Sequence, residues 1–292
     1  MNLYDVKEIK ALLNKYGFHF SKSLGQNFLT AKWVTEQMIR CSGIDDNTGV
    51  LEIGPGIGAL TKELSLTASK VVAVELDKKL IPLLAETLGD VKNVAVIQNN
   101  ILKTDLSNLA AEHFDGLKPV ICANLPYNIT TPVLSALIDA KCFEKITVMV
   151  QKEVAERICA RPGTGAYGAF SVYIQYHTQP KTHFTVPPDC FIPRPSVTSA
   201  VISLTMCPPP GFVDSEAVFF KVVRAAFAQR RKTLCNALFT VFGQTLNKTF
   251  LAKILTDNGF DEKLRGENLS IPEFATIANA VNQTLIGINN VH

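Results

Sequence analysis

The chain holds 292 residues, of which 47% are hydrophobic and 19% charged, with a formal net charge of +3. That length and balance describe a globular protein able to bury one large core and a smaller one, and so small a charge excludes wholesale attraction to a polyanion, leaving only local nucleic-acid contacts. No apolar run approaches the ~18 residues of a membrane span, no signal-peptide core opens the chain, and the seven scattered cysteines include no C-x-x-C pair, so a soluble cytoplasmic protein without a metal is expected.

In chain order, Val6, Ile9, Leu12 and Leu13 fall near one stripe and predict a helix over 6–16. A polar loop over 21–29 and a helix over 33–41 follow. Val50-Leu51-Glu52-Ile53 reads as a buried strand, Gly54, Gly56 and Gly58 come next, and a helical pattern starts at Leu60. Glycines let a backbone approach a ligand closely and take positive φ. The spacing is G-x-G-x-G rather than the G-x-G-x-x-G of dinucleotide sites. The next strand, 71–75, ends in Glu75 roughly 20 residues past the loop, where a carboxylate can accept both hydroxyls of a ribose. An ordinary β-α-β unit ending in a solvated acid has the same pattern.

A helix over 78–88 and a strand over 94–97 lead to a further strand, 120–123, which runs into Asn124-Leu125-Pro126-Tyr127. Proline fixes φ and removes a donor, so this turn is stiff and its carbonyls can point outward. The Asn124 amide oxygen, the Leu125 carbonyl and the Tyr127 ring then share one small space. Two acceptors beside a stacking face suit an exocyclic amine on a planar base; a strand-ending turn capped by a buried Tyr is the alternative. In this order, glycine loop, ribose acid and turn describe an S-adenosylmethionine site facing an amine acceptor.

Beyond it come a helix over 131–139, a strand over 145–150 and helices from Lys152 and over 170–176. Strands over 182–186 and 199–205 are expected to pair antiparallel, because no long helix separates them. Such alternation predicts an α/β fold, with a Rossmann-like, mainly parallel twisted sheet covered on both faces. Pro208-Pro209-Pro210-Gly211 marks a linker. Past Ser215 the patterns are helical only, so a first domain over 1–207 and an all-helical domain over 208–292 are expected.

Ser23-Leu24-Gly25-Gln26-Asn27-Phe28-Leu29, Glu52-Ile53-Gly54-Pro55-Gly56, Asn124-Leu125-Pro126-Tyr127-Asn128-Ile129 and Gln151-Lys152-Glu153-Val154 resemble signatures of the KsgA family, the small-subunit rRNA adenine N6,N6-dimethyltransferases. So do Ala166-Tyr167-Gly168, Phe191-Ile192-Pro193-Arg194-Pro195 and Phe227-Ala228-Gln229-Arg230-Arg231-Lys232-Thr233-Leu234. The resemblance covers most of the chain. It implies a class I methyltransferase domain followed by a small helical domain, with S-adenosylmethionine as cofactor. The reaction implied is methylation of two adjacent adenosines near the 3′ end of small-subunit rRNA. By the same resemblance Asn27 and Leu29 contact the methionine end of the cofactor, Gly54 and Gly56 belong to its loop, and Glu75 is the ribose acid. Asn124 stands where cofactor and target amine meet. Asn124 and Leu125 would then act through their oxygens, with Tyr127 stacked on one face of the flipped base and Phe191 on the other. One position departs: Asn100 stands where the family usually has an Asp that accepts from the cofactor adenine. Asn100 still offers Oδ1, without the charge; a plain turn residue is the other reading.

Arg230, Arg231 and Lys232 begin a basic face in the helical domain. Such runs are commonly a solvated helix face; beside rRNA they hold phosphates, which fix position without reading sequence. The expected partner is small-subunit rRNA within a pre-small ribosomal subunit, with no membrane and no DNA, and the chain is expected to be a monomer. Rival readings are a large-subunit rRNA adenine methyltransferase of the macrolide-resistance type and a ribosome-assembly checkpoint in which catalysis is secondary. A DNA adenine methyltransferase would usually carry a target-recognition domain, which has no counterpart in these patterns.

Overall fold

The computed structural model describes residues 1–21, 24–261 and 263–289; Lys22 and Ser23 of the quoted N-terminal loop, and Glu262, lie outside the described residues. The chain falls into two compact units, one of residues 1–155 and 179–206, the other of residues 156–178 and 207–292.

The first unit opens with α1 (Val6–Lys15), which the Asp5 carboxylate caps by accepting from the Lys7 and Glu8 N–H groups, and which buries Ile9, Leu12 and Leu13. A two-residue strand β1 (Phe28–Leu29) and α2 (Lys32–Ser42) lead to β2 (Thr48–Ile53), every residue of which is buried. Alternation continues through α3 (Ala59–Ser65), β3 (Lys70–Glu75), α4 (Ile81–Thr87), β4 (Val94–Gln98), α5 (Leu106–His113), β5 (Lys118–Asn124), α6 (Thr130–Asp139), β6 (Lys145–Gln151) and α7 (Lys152–Ile158). After α8 (Ala169–His177), strands β7 (Thr178–Val186), β8 (Phe191–Ile192) and β9 (Ser199–Met206) follow.

The seven-stranded sheet has the order β4-β3-β2-β5-β6-β9-β7. The strands β4, β3, β2, β5 and β6 are parallel, while β9 lies antiparallel to β6, with Gln151 opposite Ser199. Strands covered on both faces read as continuous apolar runs, which is why Val50, Val71, Ile121 and Val148 announce the sheet so clearly. A separate pair joins β1 to β8, with Phe28 opposite Ile192 and Leu29 opposite Phe191. The chain winds outward from β2 to β4 and then returns to β5 on the other side of β2. Sheets of this kind bind ligands outside the carboxyl ends of their strands, where the winding reverses. The glycine loop follows β2, Glu75 ends β3, Asn100 follows β4 and Asn124 ends β5, so all four motifs share that rim.

Every strand expected from periodicity is present; besides the short β1–β8 pair, which is not among them, three features differ. Helix α5 is not among the expected elements: its buried Leu106, Leu109 and Ala110 stand at i, i+3 and i+4, a single turn of stripe in an eight-residue helix, and its start is set by Asp105 accepting from the Asn108 N–H. Helix α4 begins at Ile81 rather than at 78, because Asp77 accepts from the Lys79 N–H and holds that stretch in a turn. The third difference is α8, expected in the first domain. It joins α9 (Glu216–Ala228), α10 (Leu234–Phe242), α11 (Lys248–Asp257) and α12 (Ile271–Asn289) around a second core that includes Tyr167, Tyr176, Phe219, Leu238 and Phe274. Tyr167 also donates to the Leu269 carbonyl at 2.9 Å. The helical unit therefore takes in 156–178 besides the residues past 207. Among the described residues no helix is long and apolar enough to cross a membrane.

The placement of α5 is open to a direct check. Gly49 of β2 lies against Phe114, the residue that closes α5, and a Cβ on Gly49 would stand 2.4 Å from Phe114 Cδ1. Gly49→Ala is expected to destabilise the protein by about 1–3 kcal/mol, the usual cost of overpacking a core. Adding Phe114→Leu to Gly49→Ala should recover part of that loss in thermal unfolding.

Candidate active site

The carboxyl ends of β2, β3, β4 and β5, together with the loop ahead of β1, enclose a cleft of about 810 Å3 including its open mouth. Asn27, Gly54, Gly56, Glu75, Asn100, Asn124, Leu125 and Tyr127 all line it, so residues up to 100 positions apart in sequence converge on one space.

Asn124 is the last residue of β5. Its Nδ2 donates to the Asn27 backbone carbonyl at 3.2 Å. That carbonyl can only accept, so the amide nitrogen faces the loop and Oδ1 is turned the other way as an acceptor. Asn27 is held in turn by its own Nδ2, which donates to the Gly25 carbonyl at 3.1 Å. Gly25 has φ +63°, and a Cβ there would stand 3.0 Å from Asn128 Oδ1, so glycine lets the loop lie this close to the turn. The Leu125 N–H donates to the Met149 carbonyl on β6 at 3.1 Å. The Pro126 carbonyl accepts from the Ile129 N–H and the Thr130 hydroxyl, both at 3.2 Å. These bonds stiffen the turn that the proline begins. Tyr127 is partly buried, and its hydroxyl lies 2.6 Å from Ser199 Oγ at the start of β9.

Behind the glycine loop the wall is acidic and dry. At Gly56 (φ +61°) a Cβ would come within 2.9 Å of the Phe28 ring, so the loop closes on β1 only without a side chain. Burial raises the Glu75 carboxyl from 4.5 to about 7, while the N–H groups of Asp77, Gly56 and Leu76 pull it back. The Asp77 N–H reaches Glu75 Oε1 at 2.7 Å. Glu52 on β2 is more deeply enclosed, and burial, reinforced by the charge of Glu75, raises it to about 8. The neighbouring Thr61 hydroxyl pulls the Glu52 value back only in part. A carboxylate on a sheltered wall, beside a backbone loop that no side chain crowds, fits a ribose-bearing cofactor.

Asn100 lines the cleft past β4, and its Oδ1 accepts from the Leu102 N–H at 3.0 Å, capping the short turn Ile101–Lys103. An amide oxygen has a second lone pair, so the cap does not exhaust it. Two expected contacts are not on the cleft wall. Leu29 and Phe191 face one another across the β1–β8 pair, and each is 5% exposed in a core with Val34, Met38 and Val201. Side chains alternate along a strand, so this register sends both to the core, and Phe28 lines the cleft in the place expected for Leu29. Phe191, expected as a second stacking ring, is a core residue here.

In the helical unit, Arg230, Arg231 and Lys232 follow α9 and are exposed. Arg230 is nonetheless held internally: it pairs with Glu267 at 3.3 Å and donates to the carbonyls of Gly165 at 3.2 Å and Tyr167 at 3.0 Å. Arg231 and Lys232 are the cations of this run best suited to a phosphate.

Sequence reasoning does not reach Gln26, Asp77 or Ser199 as site residues. Gln26 Nε2 donates to Asp77 Oδ2 at 2.8 Å, and its Oε1 accepts from the Ser21 N–H at 2.8 Å, which latches the N-terminal loop to the end of β3. An Asp two residues past a strand-ending acid is the only signal that could have marked this latch; Ser199 carries none.

The family model for ribosomal RNA adenine dimethylase matches residues 17–283. The ribosomal RNA small subunit methyltransferase A of Bacillus mycoides (strain KBAB4) is 49% identical over 276 residues, 93% of this chain and 94% of that protein. The protein of the same name from Bacillus cereus (strain AH187) gives the same figures. Among solved structures, a dimethyladenosine transferase from Plasmodium falciparum superposes with a TM-score of 0.74 at 25% identity, covering 87% of this chain and 97% of that one. The 23S rRNA methyltransferase ErmE superposes with a TM-score of 0.65 at 21% identity, covering 87% of this chain and 99% of that one, and has the same fold.

Glu52 and Glu75 tie stability to pH. In the folded chain they titrate near 8 and near 7 rather than at 4.5, so the folded state keeps protons that the unfolded chain has released. Their contribution is full below the unfolded value and is lost as pH rises through the folded ones. The melting temperature should therefore fall from about pH 6 to about pH 8.5, and fall less in Glu52→Gln, whose amide does not titrate there. An equal fall in both proteins would remove Glu52 from the account.

Proposed function

The chain belongs to the ribosomal RNA adenine dimethylase family, and from that premise we propose how its cleft methylates N6 of two adjacent adenosines near the 3′ end of small-subunit rRNA. It is an S-adenosylmethionine-dependent rRNA adenine dimethyltransferase. The observation that carries the residue-level reading is the Asn124 amide, whose nitrogen is tied to the Asn27 carbonyl and whose oxygen is thereby offered as an acceptor.

S-Adenosylmethionine supplies a methyl group that is already activated, so the protein need not generate a strong electrophile. Glu75 would hold the ribose hydroxyls, Gly54 and Gly56 would let the backbone approach the cofactor, and Asn27 and Asn100 would face its two ends. On the substrate side, Asn124 Oδ1 and the Leu125 carbonyl accept the two N6 hydrogens in the first transfer, and one of them accepts the single remaining hydrogen in the second. Those bonds favour a pyramidal nitrogen with its lone pair free of the ring, and they stabilise the positive charge that N6 gains on methylation. The surplus proton then leaves a cationic nitrogen for solvent, so no strong base is required. Tyr127 offers its ring to one face of the flipped base. Arg231 and Lys232 hold rRNA phosphates, with Arg230 shaping the surface from which they project.

The relatives at 49% identity are named for the small subunit, which favours that substrate over the large subunit. We infer a monomer that works on rRNA rather than duplex DNA, in the cytoplasm. The test is incubation of undermethylated small subunits with labelled S-adenosylmethionine, followed by nucleoside analysis. N6,N6-dimethyladenosine is expected; label in DNA or large subunits, with none in small subunits, would overturn the reading.

Asn100 supplies a sharper prediction. Asn100→Asp keeps the cap on Leu102 and adds a charge toward the cofactor adenine. Cofactor binding should tighten by roughly 0.5–1.5 kcal/mol, the net value of one hydrogen bond, with the single-turnover rate at saturating cofactor nearly unchanged. Equal or weaker binding by calorimetry would mean that this position does not accept from the adenine.

A further inference from the structure

Tyr127 enters its short turn directly after Pro126, whose φ of −57° fixes the approach of the chain. A tyrosine ring has two soft torsions, and its hydroxyl is the point farthest from the backbone. That hydroxyl lies 2.6 Å from Ser199 Oγ. Ser199 is fully buried, opens β9 and stands opposite Gln151 of β6, so it belongs to the rigid sheet and not to a loop. A ring held at its backbone by proline and at its far end by a strand has little freedom to swing.

We propose that Ser199 is a positioning residue for methyl transfer: its hydroxyl pins the Tyr127 phenol, so that the ring stands as a preset platform for the target adenine. This rests on the stacking role given to Tyr127 above. Burial raises the Tyr127 hydroxyl above its ordinary value, so the phenol stays protonated and its oxygen serves as an anchor rather than as an acid or base. Alignment is what the anchor supplies. A displacement of about 1 Å at a reacting centre can cost on the order of a hundredfold in rate, and a ring tethered at one end only is free to move by that much. Without the Ser199 oxygen, the partly buried phenol also loses a partner on the fully buried strand.

The test is single-turnover methylation of undermethylated small subunits at saturating S-adenosylmethionine, with Ser199→Ala, Tyr127→Phe, the double variant and Tyr127→Ala. Ser199→Ala and Tyr127→Phe should each slow the reaction by about 5–20-fold, and the double variant should be no slower than either, because both remove the same bond. Cofactor affinity should be unchanged throughout, a result that general loosening of the fold would not give. Losses that multiply in the double variant, or a wild-type rate in Tyr127→Phe, would overturn the proposal, and Tyr127→Phe decides alone if Ser199→Ala does not fold. A wild-type rate in Tyr127→Ala would instead overturn the stacking reading. A slow Tyr127→Ala beside fully active Ser199→Ala and Tyr127→Phe would remove only the role of Ser199.

Discussion

The hydrogen bond from Asn124 Nδ2 to the Asn27 carbonyl joins residues 97 apart in sequence, the tip of a sheet strand and a loop that precedes the sheet. An amide is two-faced: turned one way it offers an acceptor, turned the other it offers donors that oppose an incoming amine. The Asn27 carbonyl removes that choice. Much of the surrounding structure keeps this carbonyl in place. Gly25 allows the loop to lie against the Pro126–Tyr127 turn, the β1–β8 pair fixes where the loop ends, and Gln26 latches it to Asp77 at the end of β3. The Asp77 backbone in turn holds Glu75. A chain of polar contacts thus runs from the proposed ribose acid to the loop that orients the proposed catalytic amide.

Burial holds the protons of both acids well above the ordinary carboxylate range, and the charge of Glu75 adds to the effect on Glu52. Glu52, the deeper one, holds its proton to about 8, and Glu75, with backbone N–H groups around it, releases its own near 7. As pH rises through neutrality, the negative charge therefore appears first on Glu75, the residue that lines the cleft. The arrangement costs stability as pH rises, an expense of the kind that functional sites impose on a fold.

Much of this was legible in the chain. The parallel core announces itself because covered strands read as mainly apolar runs; Gly54, Glu75 and Asn124 stand directly at the ends of such runs, and Asn100 lies two residues past β4. What escaped detection has physical reasons. The β1 and β8 strands are two residues long, too short to display a period, yet their register decides that Leu29 and Phe191 face the core. Helix α5 is eight residues long, and its stripe of three buried side chains spans little more than one turn. The tie between Arg230 and Glu267 spans 37 residues, and the pairing of Tyr127 with Ser199 spans 72. No local pattern encodes either. Segment 156–178 packs with the second core although it precedes the linker, because helical periodicity reports which face is apolar, not which core will cover it.

The direction of the Asn124 amide can be tested with one atom. Asn124→Asp keeps nearly the same shape and an acceptor toward the target amine, but it loses the N–H that the Asn27 carbonyl accepts and sets two acceptors against each other. The decisive measurement is the single-turnover rate of methyl transfer at saturating S-adenosylmethionine. The account predicts a fall of about tenfold or more, the scale of losing one bond to a buried acceptor. A variant as fast as the parent protein would show that any acceptor suffices, and that the bond to Asn27 does not orient the site.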